Sequence, residues 1–185
     1  MWVTWAALVA VAVGGRIWQP TWNGEPLWNV TPMAAVALAA GTVFTNRVVA
    51  ASVPLAALVI SNLVLPGYGS LTMAAVVHAA MAWPALLGRL IRKASDCGAS
   101  SRLIAIAGGS LASSLVFFLT TNFACWALSD GFYPRTAAGL AACFTAALPF
   151  YRWMPAGDLV WTAVVFGGMA LVARARITLT AAETA

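Results

Sequence analysis

Apolar residues run through this chain in long unbroken stretches with little charge between them, and that pattern leaves few folds open. Seven stretches stand out: residues 2–15, 31–45, 48–65, 70–90, 103–128, 136–150 and 158–173. A soluble domain carries about 25% charged residues. Here 8% of the 185 residues are charged, and the mean hydropathy is +0.88. That is too little charge to coat a water-facing surface. The period-two alternation of a membrane barrel is missing, and the runs are too continuous for one. The expectation is an all-α polytopic membrane protein, a single integral membrane domain over residues 1–185.

Several function classes fall away. No Gly-rich phosphate loop is present, so ATP hydrolysis by that route is not expected. The basic residues form no extended patch, which argues against nucleic acid as a partner. Three cysteines, Cys97, Cys125 and Cys143, fit neither a disulfide framework nor a zinc pattern. Neither a Ser–His–Asp arrangement nor a carboxylate pair suggests hydrolysis, so no enzyme is expected. The first stretch has no Lys or Arg before Arg16. It lacks the basic start of a signal peptide and is read as a retained helix.

Charge placement sets the topology. The loop 89–102 holds Arg89, Arg92, Lys93 and Arg102 against Asp96 and should be cytoplasmic. Arg174 and Arg176 place the end of the last helix on the same side. An even number of crossings must separate the two. The run 136–150 spans about 22 Å at about 1.5 Å per residue, too short to cross, so it is read as a half-depth or re-entrant helix. The result is six transmembrane helices with both termini cytoplasmic. Arg47 joins the six cytoplasmic residues already named, against Arg16, Arg135 and Arg152 outside. Polar chemistry then collects on the outer side.

Candidate site residues follow from that geometry. Asn122, in "FFLTTNFACW", is an amide in an apolar helix. Such a group must be paired, and it faces the bundle interior or a cavity. Its partner is either a neighbouring helix or a ligand. Asn62, in "VISNLVLPGYG" with Tyr68, lies at similar depth. Arg152 and Asp158 bracket "RWMPAGD". They form either an interfacial ion pair with Asp158 as a helix cap, or a clamp at a cavity mouth. The loop "RIWQPTWNGEPLWNVTP" carries Trp18, Trp22 and Trp28. It is either an interfacial aromatic belt or a lid over a flat ligand, and its prolines and Gly24 predict an ordered loop. Ala35 and Ala39 offer a small-residue face for internal packing or for a partner's helix. Gly108 and Ala112, in "AGGSLASS", offer a second face, read as internal packing. His78 has no second ligand placed by spacing. Cys125 and Cys143 read as small core residues, with a soft metal ligand as the alternative.

The blocks "SSLVFFLTTNFACW", "YPRTAAGLAACFTAALPFYRWMPAGDLVWTAVVFGG" and "WNVTPMAAVALAAG" cover about a third of the chain. They resemble a family of small bacterial membrane proteins without an assigned function. In size and helix count that family is similar to the S-components of energy-coupling factor (ECF) transporters, the solitary cobalamin-uptake type being nearest. The resemblance implies an S-component-like bundle in the bacterial cytoplasmic membrane and capture of a vitamin-like small molecule in an outward cavity. It also implies docking of a coupling membrane subunit with its ATPase module through Ala35 and Ala39. The departures are Trp28 where a polar residue usually precedes Asn29, Asn62 where an acid is expected, and no cysteine in 70–90 to reach cobalt. Cobalamin therefore enters only as one candidate substrate.

The expected function is a substrate-binding subunit for nutrient uptake, with Trp28, Asn29, Asn62, Tyr68, Asn122, Tyr151, Arg152 and Asp158 as ligand contacts. The alternative is a non-transporting accessory subunit packed into a larger membrane complex.

Overall fold

The Ala-rich run after Pro32 becomes the centre of the molecule. A computed structural model describes residues 1–18, 20–27, 29–128 and 132–183. Its elements, in chain order, are α1 (Trp2–Ile17), a small antiparallel hairpin of β1 (Thr21–Trp22) and β2 (Glu25–Pro26), α2 (Met33–Val43) and α3 (Arg47–Ser61). Then come α4 (Leu71–Ala82), a 3-10 turn (Trp83–Leu87), α5 (Gly88–Asp96), α6 (Ala99–Leu128), α7 (Ala137–Tyr151) and α8 (Met154–Glu183). Every residue of α2 from Met33 to Gly41 is buried. It packs against α1, α3, α4, the 3-10 turn, α5, α6 and α8. Small side chains allow that many neighbours to approach at once.

Local chemistry sets the helix ends. The Asn46 side chain accepts from the amides of Val48 and Val49 and starts α3. Ser70 caps α4 and Thr136 caps α7 in the same way. Pro84 lacks an amide N–H, and the chain tightens into the 3-10 turn there. This joint touches the end of α2 backbone to backbone. A Cβ on Gly88 would lie 1.8 Å from the Gly41 carbonyl carbon, and one on Gly41 would lie 2.0 Å from the Ala85 oxygen. The Arg92 guanidinium then donates to the Gly41 and Thr42 carbonyls, the open C-terminal end of α2.

Three helical segments are long and apolar enough to cross a membrane: Leu71–Asp96, Ala99–Leu128 and Met154–Ala182. The protein is an all-α, multi-pass membrane bundle. The other apolar helices, α1, α2, α3 and α7, are shorter. Two helix boundaries differ from expectation. The run 48–65 is expected to be helical throughout, but α3 stops at Ser61 after 15 residues. There the Ser61 hydroxyl turns back to the Ala57 and Leu58 carbonyls, and Pro66 and Gly67 follow. The last helix was to begin at Asp158. It begins at Met154, with Pro155 in its first turn where no amide donor is required. Asp158 therefore lies inside the helix and is not its cap.

The second small face is also displaced by one residue. Gly108 meets nothing and is exposed, whereas Gly109 lies against Leu38, and Ser110, Ser113 and Ser114 are buried beside it.

Candidate functional site

One end of the bundle carries the hairpin, the α3–α4 turn and α7. At this end a cleft of about 240 Å³ opens between α6, α7 and the approach to α2. Its walls include Asn29, Phe117, Phe118, Thr121, Asn122, Phe150, Tyr151 and Met154. The helical periodicity of α6 brings Phe118, Thr121 and Asn122 to one face, one turn apart. Phe118 stacks against Tyr151 with centroids 4.4 Å apart and meets Phe144 edge-on at 5.5 Å.

Hydrogen-bonding capacity is left over here. The Asn122 amide nitrogen donates to the Phe118 carbonyl of its own helix, 2.7 Å away. That bond fixes the amide's orientation and leaves its oxygen without a donor among the described residues. Thr121 also bonds back, to the Phe117 carbonyl at 2.8 Å. The Asn29 side chain and the Tyr151 hydroxyl make no hydrogen bond to any described residue. An amide has two donors and an acceptor to satisfy. Asn29, Asn122 and Tyr151 together can therefore grip a small polar ligand above an aromatic floor.

Below the cleft lies a tighter cavity that shares Asn29, Phe117 and Met154 with it and adds Thr31, Ser113 and Asp158. Asp158 is 2% exposed. Ser114 donates to its Oδ2 at 2.6 Å, and one turn further along α8 the Thr162 hydroxyl donates to Ser110 at 3.1 Å. Two polar rungs thus join the antiparallel α6 and α8. The pairing of Asp158 with Arg152 is not what forms. Arg152 is exposed and lies over the Trp153 ring, 5.3 Å from its centroid, and Trp153 meets Trp22 of the hairpin at 5.5 Å. Arg152 therefore belongs to the aromatic rim and does not line the cleft.

Asn62 and Tyr68 form a second group apart from it. The Arg16 guanidinium donates to Ser61, to the Asn62 Oδ1 at 2.7 Å and to the Tyr68 hydroxyl at 2.9 Å. This pins the end of α1 to the α3–α4 turn. His78 presents Nδ1 to the Ala74 carbonyl at 2.7 Å and its ring edge to Tyr68. Ala35 and Ala39 have no exposed surface, so the helices they admit are the chain's own. Cys143 is buried with its thiol on the Asn122 carbonyl. Trp28, expected among the ligand contacts, lies outside the described residues.

The DUF6580 family, a family of unknown function, matches residues 1–181. The chain belongs to that family. No curated protein and no solved structure matches this DUF6580 member. Sequence reasoning about it missed Arg16, which looked like an ordinary interfacial charge, and the serines that meet Asp158 and Thr162. The signal for the serines was present in the "SLASS" run, where Ser110, Ser113 and Ser114 recur at helical spacing.

Proposed function

We propose that the protein is a substrate-binding membrane subunit that captures a small, vitamin-like nutrient at this cleft, in the manner of an S-component. The observation that carries the reading is the convergence of Asn29, Asn122 and Tyr151, from three separate segments, on one aromatic-walled cleft with spare hydrogen-bonding capacity. Ligand sites are concave, mostly apolar and supplied with a few such polar groups. The volume of about 240 Å³ is below the roughly 300–1,000 Å³ of drug-sized sites. This supports a ligand much smaller than cobalamin. We retain six passes with cytoplasmic termini in the bacterial inner membrane, three of them made by the shorter α1, α2 and α3, with α7 dipping to half depth beside the cleft. With no phosphate-binding loop in the sequence, release would draw on a coupling subunit with its ATPase module or on an ion gradient.

The test is to purify the chain from membranes and identify bound small molecules by mass spectrometry. Asn29→Ala and Tyr151→Phe should each lose the ligand while the unfolding midpoint stays in place. A wild-type protein that carries no small molecule and purifies within a stable larger complex would sink the reading. That second outcome would favour the accessory-subunit alternative. Its own support is a wide groove of about 790 Å³ between α6 and α8. Gly98, Ala107, Ala163 and Gly167 line it, small enough to admit a partner's helix.

A further inference from the structure

At the opposite end of the bundle from the cleft, three arginines from two distant segments face one pocket. It has a volume of about 190 Å³ and lies where α2 ends, between the start of α3 and the joint of the 3-10 turn with α5. Arg47, Arg89 and Arg92 line it together with Thr45, and no acidic residue does. Arg92 is held in place by its bonds to the Gly41 and Thr42 carbonyls. Arg47 and Arg89 are exposed and donate to no described residue. The first amides of α3 are already taken by Asn46, so the guanidinium groups and the Thr45 hydroxyl are the donors this pocket offers.

The surroundings say what kind of anion fits. Beside the arginines in sequence stand Val48, 77% exposed, and Leu86 and Leu90, both more than half exposed. A cationic pocket flanked by bare aliphatic side chains at the end of a membrane bundle is complementary to an amphiphile. Guanidinium groups bind phosphate oxygens by paired, charge-assisted hydrogen bonds. Basic pockets between membrane helices are recognised by anionic lipid headgroups. We infer that this pocket binds the headgroup of an anionic phospholipid, its phosphate among Arg47, Arg89 and Arg92 and its acyl chains along Val48, Leu86 and Leu90. A free phosphate would use the arginines but gain nothing from the aliphatic flank. An acidic segment of a protein partner would leave that flank in contact with lipid tails.

The experiment uses the full chain in micelles doped with phosphatidylglycerol, cardiolipin or phosphatidylcholine, and separately with inorganic phosphate. Thermal unfolding and native mass spectrometry are the two readouts. Phosphatidylglycerol and cardiolipin should raise the midpoint and remain bound in the spectrometer. Phosphatidylcholine and inorganic phosphate should do neither. The Arg47→Gln/Arg89→Gln double variant should weaken retention of the anionic lipid about tenfold or more, as loss of hydrogen bonds to a charged group implies. Lys93→Gln/Arg102→Gln removes the same charge from the same end but outside the pocket, and should leave retention near wild type. Equal loss in both double variants would reduce the effect to diffuse attraction and overturn the inference. So would stabilisation by inorganic phosphate alone, or indifference to every lipid, which would leave an acidic partner as the occupant.

Discussion

Asn122 and Asp158 show how polar groups survive in an apolar bundle by two different means. Asn122 spends one donor on its own helix and leaves the rest of its capacity toward a cleft. Asp158 is enclosed, with a serine from the facing helix as its donor. A buried polar group that loses its partner carries the full desolvation cost, so the Ser114–Asp158 rung fixes the register of α6 against α8. Arg16 acts at the same scale. It looked like one of three outer charges, yet its guanidinium collects Ser61, Asn62 and Tyr68. Arg16→Gln should lower stability by about 1.5–3 kcal/mol, the range for hydrogen bonds to a charged group, measured as a lower unfolding midpoint in detergent. Ligand retention at the cleft should be unchanged, because Asn62 and Tyr68 do not line it. If Arg16→Gln strips the ligand from a folded protein, the division into two groups is wrong.

Among the elements, the contact of α2 with the 3-10 joint is the tightest. Backbone meets backbone at Gly41 and Gly88, and a side chain has no room to yield. Gly88→Ala should cost about 1–3 kcal/mol or more, as overpacking does. Gly108→Ala should be neutral or stabilising by about 0.5–1 kcal/mol, since it meets nothing and alanine favours the helix. Paired thermal melts of the two variants check this, and equal midpoints would contradict it. The helices themselves were legible because long apolar runs bounded by Asn46, Ser70 and Thr136 are strong local signals. What surrounds each helix was not legible. α2 is enclosed on all sides while α4 keeps much of its surface exposed. Both are apolar all round, because lipid and protein interior demand the same side chains. The cleft was half legible. Asn122 was legible as an amide in an apolar helix, and Asn29 and Tyr151 were among the expected ligand contacts. The placement of Arg152 over Trp153 depends on a turn that begins α8 four residues early, and no periodicity marks that turn.

For the whole molecule, the two ends differ in chemistry. Asn29, Asn62, Asn122, Tyr68, Tyr151 and the Trp22–Trp153 pair stand at one, and Arg47, Arg89, Arg92, Lys93 and Arg102 at the other. Two cysteines make the orientation testable, since Cys97 is exposed in the turn between α5 and α6, where a loop over 89–102 was expected, and Cys143 is 3% exposed in α7. A membrane-impermeant maleimide should label Cys97 only after the cells are opened, and should leave Cys143 unlabelled in both conditions. Labelling of Cys97 in intact cells would reverse the topology. The enclosure of α2 also bears on how the chain is made. An 11-residue helix is about 16 Å long at about 1.5 Å per residue, about half of a bilayer's hydrocarbon core of about 30 Å. Alone among lipids it would strand its terminal amides and carbonyls without partners. Its walls include α6 and α8, which leave the ribosome after it, and its last carbonyls wait for Arg92. Synthesis therefore delivers the centre of this molecule before most of its walls. The segment destined for the centre stays incompletely enclosed until the long helices made after it close around it.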